Sequence, residues 1–137
     1  MTDLIEVRVS NLVGAALDWA VAQVEGINTI MLSPRKKETQ KPFALFGSLA
    51  ISVGGGDESS YTPSTCWHCG GPLIDKHQGS VRHDKHLNDG PCRYSGGTGM
   101  NSPWSYGPTP LIAFCRSLVL AKLGDTVQVP KELINDH

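Results

Sequence analysis

The sequence predicts an α+β fold: a small antiparallel sheet packed by two amphipathic helices, with a long Gly/Pro-rich central loop region. Three observations carry this reading. Branched and polar residues alternate near the N-terminal end, the period of a half-buried strand. Two stretches near opposite ends of the chain repeat their apolar residues at helical spacing, each with its own stop signal. Between them the chain is crowded with Gly, Pro, Ser and Asp, and strands do not alternate with helices as a doubly wound sheet requires. The 137 residues suit a single domain.

Leu4 to Val9 reads as a strand, with Ile5, Val7 and Val9 on one face and Glu6 and Arg8 on the other. Ser10 suits a helix N-cap, and Val13, Leu17, Ala20, Val21 and Val24 then fall at helical spacing, so a helix is expected over about 11–25. Gly26 sits where a helix commonly ends in the left-handed conformation. Ile27 to Leu32 is a candidate strand, Pro34 to Pro42 a basic loop with Arg35, Lys36, Lys37 and Lys41, and Phe43 to Val53 returns to apolar residues. Gly54 to Gly56 break regular structure, and about 54–104 is expected to be an irregular insert, held in order by a metal if one is bound. Order returns at Thr109-Pro110, an N-cap followed by the residue best suited to the first helical position. Leu111, Ile112, Cys115, Leu118, Val119 and Leu123 form the apolar face of a helix over about 110–123, with Lys122 in its last turn and Gly124 as its stop. Thr126 to Val129 is the last strand, closed by Pro130.

Charge narrows the function. Twelve basic against thirteen acidic side chains give a net charge of -1, so there is no global field to draw nucleic acid or anionic lipid. No apolar run is long enough for a membrane span. The first residues, with two acids and no basic leader, predict no signal peptide, and a cytoplasmic setting is expected. Reduced thiols follow from that setting.

The sharpest local feature is Cys66-Trp67-His68-Cys69-Gly70-Gly71-Pro72. Two thiolates on a tight turn suit one zinc ion, and Cys66, Cys69, His83, His86 and Cys92 are the candidate ligands. Cys66, Cys69, His83 and His86 make one set, and Cys66, Cys69, His86 and Cys92 the other. One structural zinc is the cofactor this pattern points to; the alternative is a polar loop that gathers cysteines and histidines by chance. A redox role for the pair is disfavoured, because Gly70-Gly71-Pro72 is expected to prevent a helix from starting there. Cys115 belongs to the buried face of the second helix.

No nucleophile elbow, P-loop or dinucleotide fingerprint is present. Asp18 and Glu25 share a helix face and are expected to be solvated, as is Arg35-Lys36-Lys37. Aromatic residues do lie among Gly/Pro turns, where they could stack on a base or anchor a loop to the core. Tyr61, Ser64, Trp67, Gly70, Gly71, Tyr106, Thr109 and Arg116 are therefore the candidate ligand-binding residues; no catalytic residue is assigned.

Several segments resemble the NinX-like family of small phage and prophage proteins. They are Gly14-Ala15-Ala16-Leu17-Asp18-Trp19-Ala20-Val21-Ala22, Tyr61-Thr62-Pro63-Ser64-Thr65 with Trp67 and Gly70-Gly71-Pro72-Leu73-Ile74, then Tyr106-Gly107-Pro108-Thr109-Pro110-Leu111-Ile112-Ala113. Lys122-Leu123-Gly124-Asp125 and Val127-Gln128-Val129-Pro130 complete the series, nearly end to end. The resemblance implies an accessory protein of a temperate phage, acting inside the bacterial host, and supplies no catalytic residues. The family's pattern lacks the cysteine pair, so zinc would be peculiar to this member. The expected function is a non-enzymatic binding module that modulates a host protein or captures a small anionic ligand such as a nucleotide. Two alternatives stand beside it. One is a zinc-knuckle protein that binds nucleic acid through Lys76, Arg82, Lys85 and Arg93. The other is a small enzyme acting on a nucleotide or peptide, with a pocket gathering groups such as Asp18, Tyr61, His68 or Arg116.

Overall fold

A computed structural model describes residues 4–33, 40–54, 60–83, 93–98 and 104–134. In chain order they form β1 (Leu4–Arg8), a 3₁₀ turn (Val9–Asn11), α1 (Gly14–Val24), β2 (Thr29–Leu32), β3 (Lys41–Phe46) and β4 (Leu49–Ser52). Then follow α2 (Trp67–Lys76), β5 (Gly79–His83), β6 (Tyr94–Thr98), β7 (Ser105–Gly107), α3 (Pro110–Leu123), β8 (Thr126–Pro130) and a closing 3₁₀ turn (Lys131–Leu133). The fold is α+β. Its strands make three small antiparallel sheets among the described residues: β1 with β8, β2-β3-β4, and β5-β6-β7.

α3 is the axis of the molecule. Thr109 caps it, its Oγ1 accepting from the Ile112 amide at 3.2 Å, and Pro110 occupies the first turn. Every residue from Leu111 to Val119 is buried. The sequence reading gave this helix one apolar face; it is instead covered on several sides, by the β5-β6-β7 sheet, α1, α2 and the first 3₁₀ turn. Phe114, outside the predicted face, is fully buried and lies over Gly79 and Gly96. A Cβ on Gly79 would fall 2.3 Å from the Phe114 ring, and one on Gly96 would fall 2.8 Å from the Phe114 backbone. Part of the chain's central glycine content thus serves close approach of a helix to a sheet.

This corrects the expectation of an irregular insert over 54–104. That stretch contains α2, β5 and β6, and β6 is buried from Ser95 to Thr98. A helix does start at the cysteine pair, despite two glycines and an internal proline. Propensity opposes it, but tertiary contacts hold it: Leu73 and Ile74 join the core, and Lys76 and His77 reach Glu25. Pro72 is exposed, so the backbone bond it forgoes faces solvent.

α1 begins at Gly14 and not at Ser10. Ser10 lies in the 3₁₀ turn, Val13 takes the N-cap position without a side-chain hydrogen bond, and Val13 is half exposed. The end of α1 follows the sequence reading. Gly26 takes φ 71°, its amide bonds Gln23 O at 3.2 Å and the Ile27 amide bonds Ala22 O at 3.0 Å, a Schellman close.

Candidate functional site

Of the candidate ligand residues, Tyr106 and Arg116 line one cleft and Ser64, Trp67 and Thr109 another, while Tyr61, Gly70 and Gly71 line neither. The larger, about 500 Å³, is lined by Arg8, Val9, Ser10, Trp104, Ser105, Tyr106, Arg116, Leu120 and Asp125. Its walls come from the end of β1, the 3₁₀ turn, the edge strand β7 and the middle of α3. Trp104 and Tyr106 are two residues apart along extended chain and so share a side of the β5-β6-β7 sheet. Each is 46% exposed. A Cβ on Gly97 would fall 2.8 Å from the Trp104 indole, which shows how closely that ring lies on β6. Anchoring and presentation are therefore combined in one residue: the indole rests on the sheet and half of it stays open.

Arg116 is a strut of this cleft. Its Nε donates to Leu12 O at 2.9 Å and its Nη1 to Tyr106 O at 2.8 Å. With 7% exposure it ties the backbone before α1 and the backbone of β7 to α3, fixing both walls. Arg8, by contrast, is exposed at the rim and has no ion pair among the described residues. Asp125 also lines the cleft, and its carbonyl accepts from the Val9 amide at 2.9 Å, joining the residue before β8 to the 3₁₀ turn.

The smaller cleft, about 310 Å³, is lined by Ser64, Thr65, Trp67, Thr109, Pro110 and Leu111. Here the starts of α2 and α3 converge. Gly70 lies beneath this region, where a Cβ would meet Pro63 O at 2.3 Å and Leu111 Cδ2 at 2.9 Å, so its role is helix–loop contact. Gly71 has only the Trp67 ring nearby, at 3.9 Å. Tyr61 does not reach either cleft. It pairs with Val53, stacks obliquely on Phe46 at 6.3 Å, and keeps its hydroxyl buried without a hydrogen bond. Burial, with the Glu25 charge adding to it, holds that phenol well above its ordinary range.

Asp18 and Glu25, read as a solvated face, are both largely enclosed. Asp18 is 1% exposed and its Oδ1 accepts from the Ser64 amide at 2.8 Å, tying the Tyr61–Thr65 loop to α1. Burial raises its pKa to about 6, against the opposing effect of Ser64. Burial also acts upward on Glu25, but Lys76 Nζ at 2.6 Å and His77 Nε2 at 2.7 Å outweigh it and hold the carboxyl below its ordinary value. Neither carboxylate lines a cleft described above. Nothing in the sequence distinguished these two from solvated acids, since their partners lie far along the chain.

Of the candidate metal ligands, Cys66 caps α2 and Cys69 lies in its first turn, while His83 ends β5 with its ring 5.0 Å from Tyr94. His86 and Cys92 lie outside the described residues, as do Arg35-Lys36-Lys37 and Lys85. Among the described residues no three His, Cys, Asp or Glu side chains gather at one point. The Cys69 and His68 amides face the Cys66 thiol and lower its pKa; burial raises that of Cys69, whose sulfur donates to Ser60 O at 3.6 Å. Cys115 is buried in α3, as its place on the apolar face implied.

Residues 8–122 match the family model described as "Bacteriophage P22, NinX". The chain belongs to the bacteriophage P22 NinX family. The matched span carries α1, α2 and nearly all of α3, together with every residue of the larger cleft except Asp125. No curated protein matches the chain. Among the described residues of this NinX-family chain, no helix is long and apolar enough to cross a membrane.

Proposed function

We propose that this NinX-family chain is a phage accessory protein acting in the host cell as a non-enzymatic binding module for a nucleotide-like anion. The observation that carries the reading is the pairing, in one cleft of about 500 Å³, of two half-open aromatic rings with an exposed guanidinium. Trp104 and Tyr106 offer planar surfaces on which a base stacks whatever its identity. Arg8 supplies the charge for a phosphate, in a form that makes two parallel hydrogen bonds. Asp125 would repel a bare anion but accepts hydrogen bonds from sugar hydroxyls, which favours a nucleoside phosphate over inorganic phosphate. Arg116 serves by holding the walls, since two of its donors already meet backbone carbonyls.

Thermal unfolding in the presence of nucleoside mono-, di- and triphosphates tests this directly. A ligand present at about a hundred times its Kd adds about 2.7 kcal/mol to stability, a shift readily seen in a small protein. Stabilisation by nucleotides, with inorganic phosphate inert, is the expected result. No shift with any nucleotide at millimolar concentration would remove the reading.

A further inference from the structure

The cysteine pair is left unused by that reading, and its position in the structure differs from the one the sequence suggested. We propose that Cys66 and Cys69 form a thiol–disulfide exchange site, with Cys66 attacking and Cys69 resolving, whose substrate is a small disulfide bearing carboxylates, of the glutathione disulfide class. This does not depend on the cleft at Trp104.

Cys66 takes the N-cap position of α2 and Cys69 its third residue. Side chains three apart on a helix have Cβ atoms about 5–6 Å apart, and rotation of the two sulfurs brings such a pair within bonding reach. The N-cap position sets Cys66 at the free-amide end of α2, where the helix dipole favours a thiolate. Cys69 sits deeper, its thiol held on Ser60 O, where it is reached by a bond already made to Cys66. Both cysteines are partly exposed, unlike the buried Cys115.

The neighbourhood suggests the substrate. Thr65 and Trp67, on either side of Cys66 in the chain, line the 310 Å³ cleft where the starts of α2 and α3 converge. That volume suits a small molecule, two helix N-termini favour carboxylates, and the largely exposed Trp67 ring supplies an apolar plate.

The chemistry balances without a cofactor. Cys66 loses its proton to solvent and attacks one sulfur of R–S–S–R; that bond breaks, one RS⁻ leaves, and a Cys66–S–S–R mixed disulfide forms. Cys69 loses its proton and attacks the Cys66 sulfur, expelling the second RS⁻. The two RS⁻ take up two protons. Two protein thiols are oxidised to one disulfide, and the substrate disulfide is reduced by the same two electrons to two thiols.

The full chain, equilibrated with glutathione at graded ratios of oxidised to reduced form, quenched in acid, alkylated and mapped by mass spectrometry, provides the test. The wild-type protein should gain a Cys66–Cys69 bridge that reduced glutathione reverses. Cys69→Ser should accumulate glutathione on Cys66, whereas Cys66→Ser should acquire it on Cys69 at least about tenfold more slowly. An uncharged disulfide, hydroxyethyl disulfide, should oxidise the pair more slowly than glutathione disulfide. Thiols unchanged at every ratio, a bridge to Cys92 in place of Cys69, equal trapping at the two sulfurs, equal rates with the two disulfides, or zinc that stays bound and shields both cysteines would overturn the proposal.

Discussion

Asp18 is the residue whose placement has the most measurable consequence. Its carboxyl is enclosed by α1 and the Tyr61–Thr65 loop, and its pKa rises from 3.8 to about 6. Because the folded value lies above the unfolded one, the associated stability is complete below pH 3.8 and is lost as pH climbs through 6. The shift corresponds to about 3 kcal/mol. Asp18→Asn keeps an acceptor for the Ser64 amide but has no charge to bury. Urea unfolding of both proteins should therefore show the variant gaining on the wild type by up to about 3 kcal/mol between pH 4 and pH 6; a difference independent of pH would show that Asp18 is not enclosed as described. Glu25 behaves in the opposite sense. Its folded pKa is depressed below 4.5, so its contribution is present above that value and disappears as pH falls. Glu25→Gln should cost about 1 kcal/mol at neutral pH, since Lys76 is mostly solvent-exposed and water screens the pair. That deficit should vanish in acid, measured by the same unfolding curves. These two carboxylates mark the limit of what local pattern reveals. Their spacing on α1 was legible, but Ser64, Lys76 and His77 lie 46 to 52 positions away, and periodicity carries no information about such partners.

At the level of elements, Thr109-Pro110, Gly26 and Gly124 take the positions their chemistry implies, whereas Ser10 lies in a 3₁₀ turn and does not cap α1. α2 was missed because local propensity argued against it and the compensation is tertiary, through Leu73, Ile74 and the Glu25 contacts. The glycines were legible only as breaks, although two of them are the floor on which Phe114 rests. Two substitutions separate these roles. Gly96→Ala forces a Cβ against the α3 backbone, 2.8 Å from Phe114 N and Cα, and should destabilise the protein by about 3 kcal/mol or more. Gly71→Ala adds a methyl to α2 that meets no other element closer than the Trp67 ring at 3.9 Å; the helix-propensity gain is opposed by its contact with the Pro72 ring, and stability should change by less than about 1 kcal/mol. Thermal melts should show a large drop for Gly96→Ala and a small change for Gly71→Ala. A stabilised or neutral Gly96→Ala would mean that α3 does not lie on β6 at this distance.

Across the whole molecule, α3 organises two surfaces that the sequence treated as one. The α+β class and both terminal helices could be read from periodicity; Tyr106, Trp67 and Thr109, candidates because of their place at Gly/Pro turns, line concave surface. Their separation could not. It follows from the convergence of α2 with the start of α3 on one side, and of β1, β7 and β8 with its middle on another. Arg8 escaped notice because a strand arginine resembles any solvated charge; its neighbours in the cleft, Trp104 and Asp125, come from the opposite end of the chain.

The most direct test of the nucleotide-binding account is a calorimetric titration of the wild-type chain and of Arg8→Ala and Trp104→Ala with a nucleoside triphosphate at low salt. Saturable binding by the wild type, weakened about tenfold or more by either substitution, is the expected result, since loss of one stacked base contact alone is worth about 1–3 kcal/mol. No heat of binding at millimolar nucleotide, or equal binding by all three proteins, would contradict it.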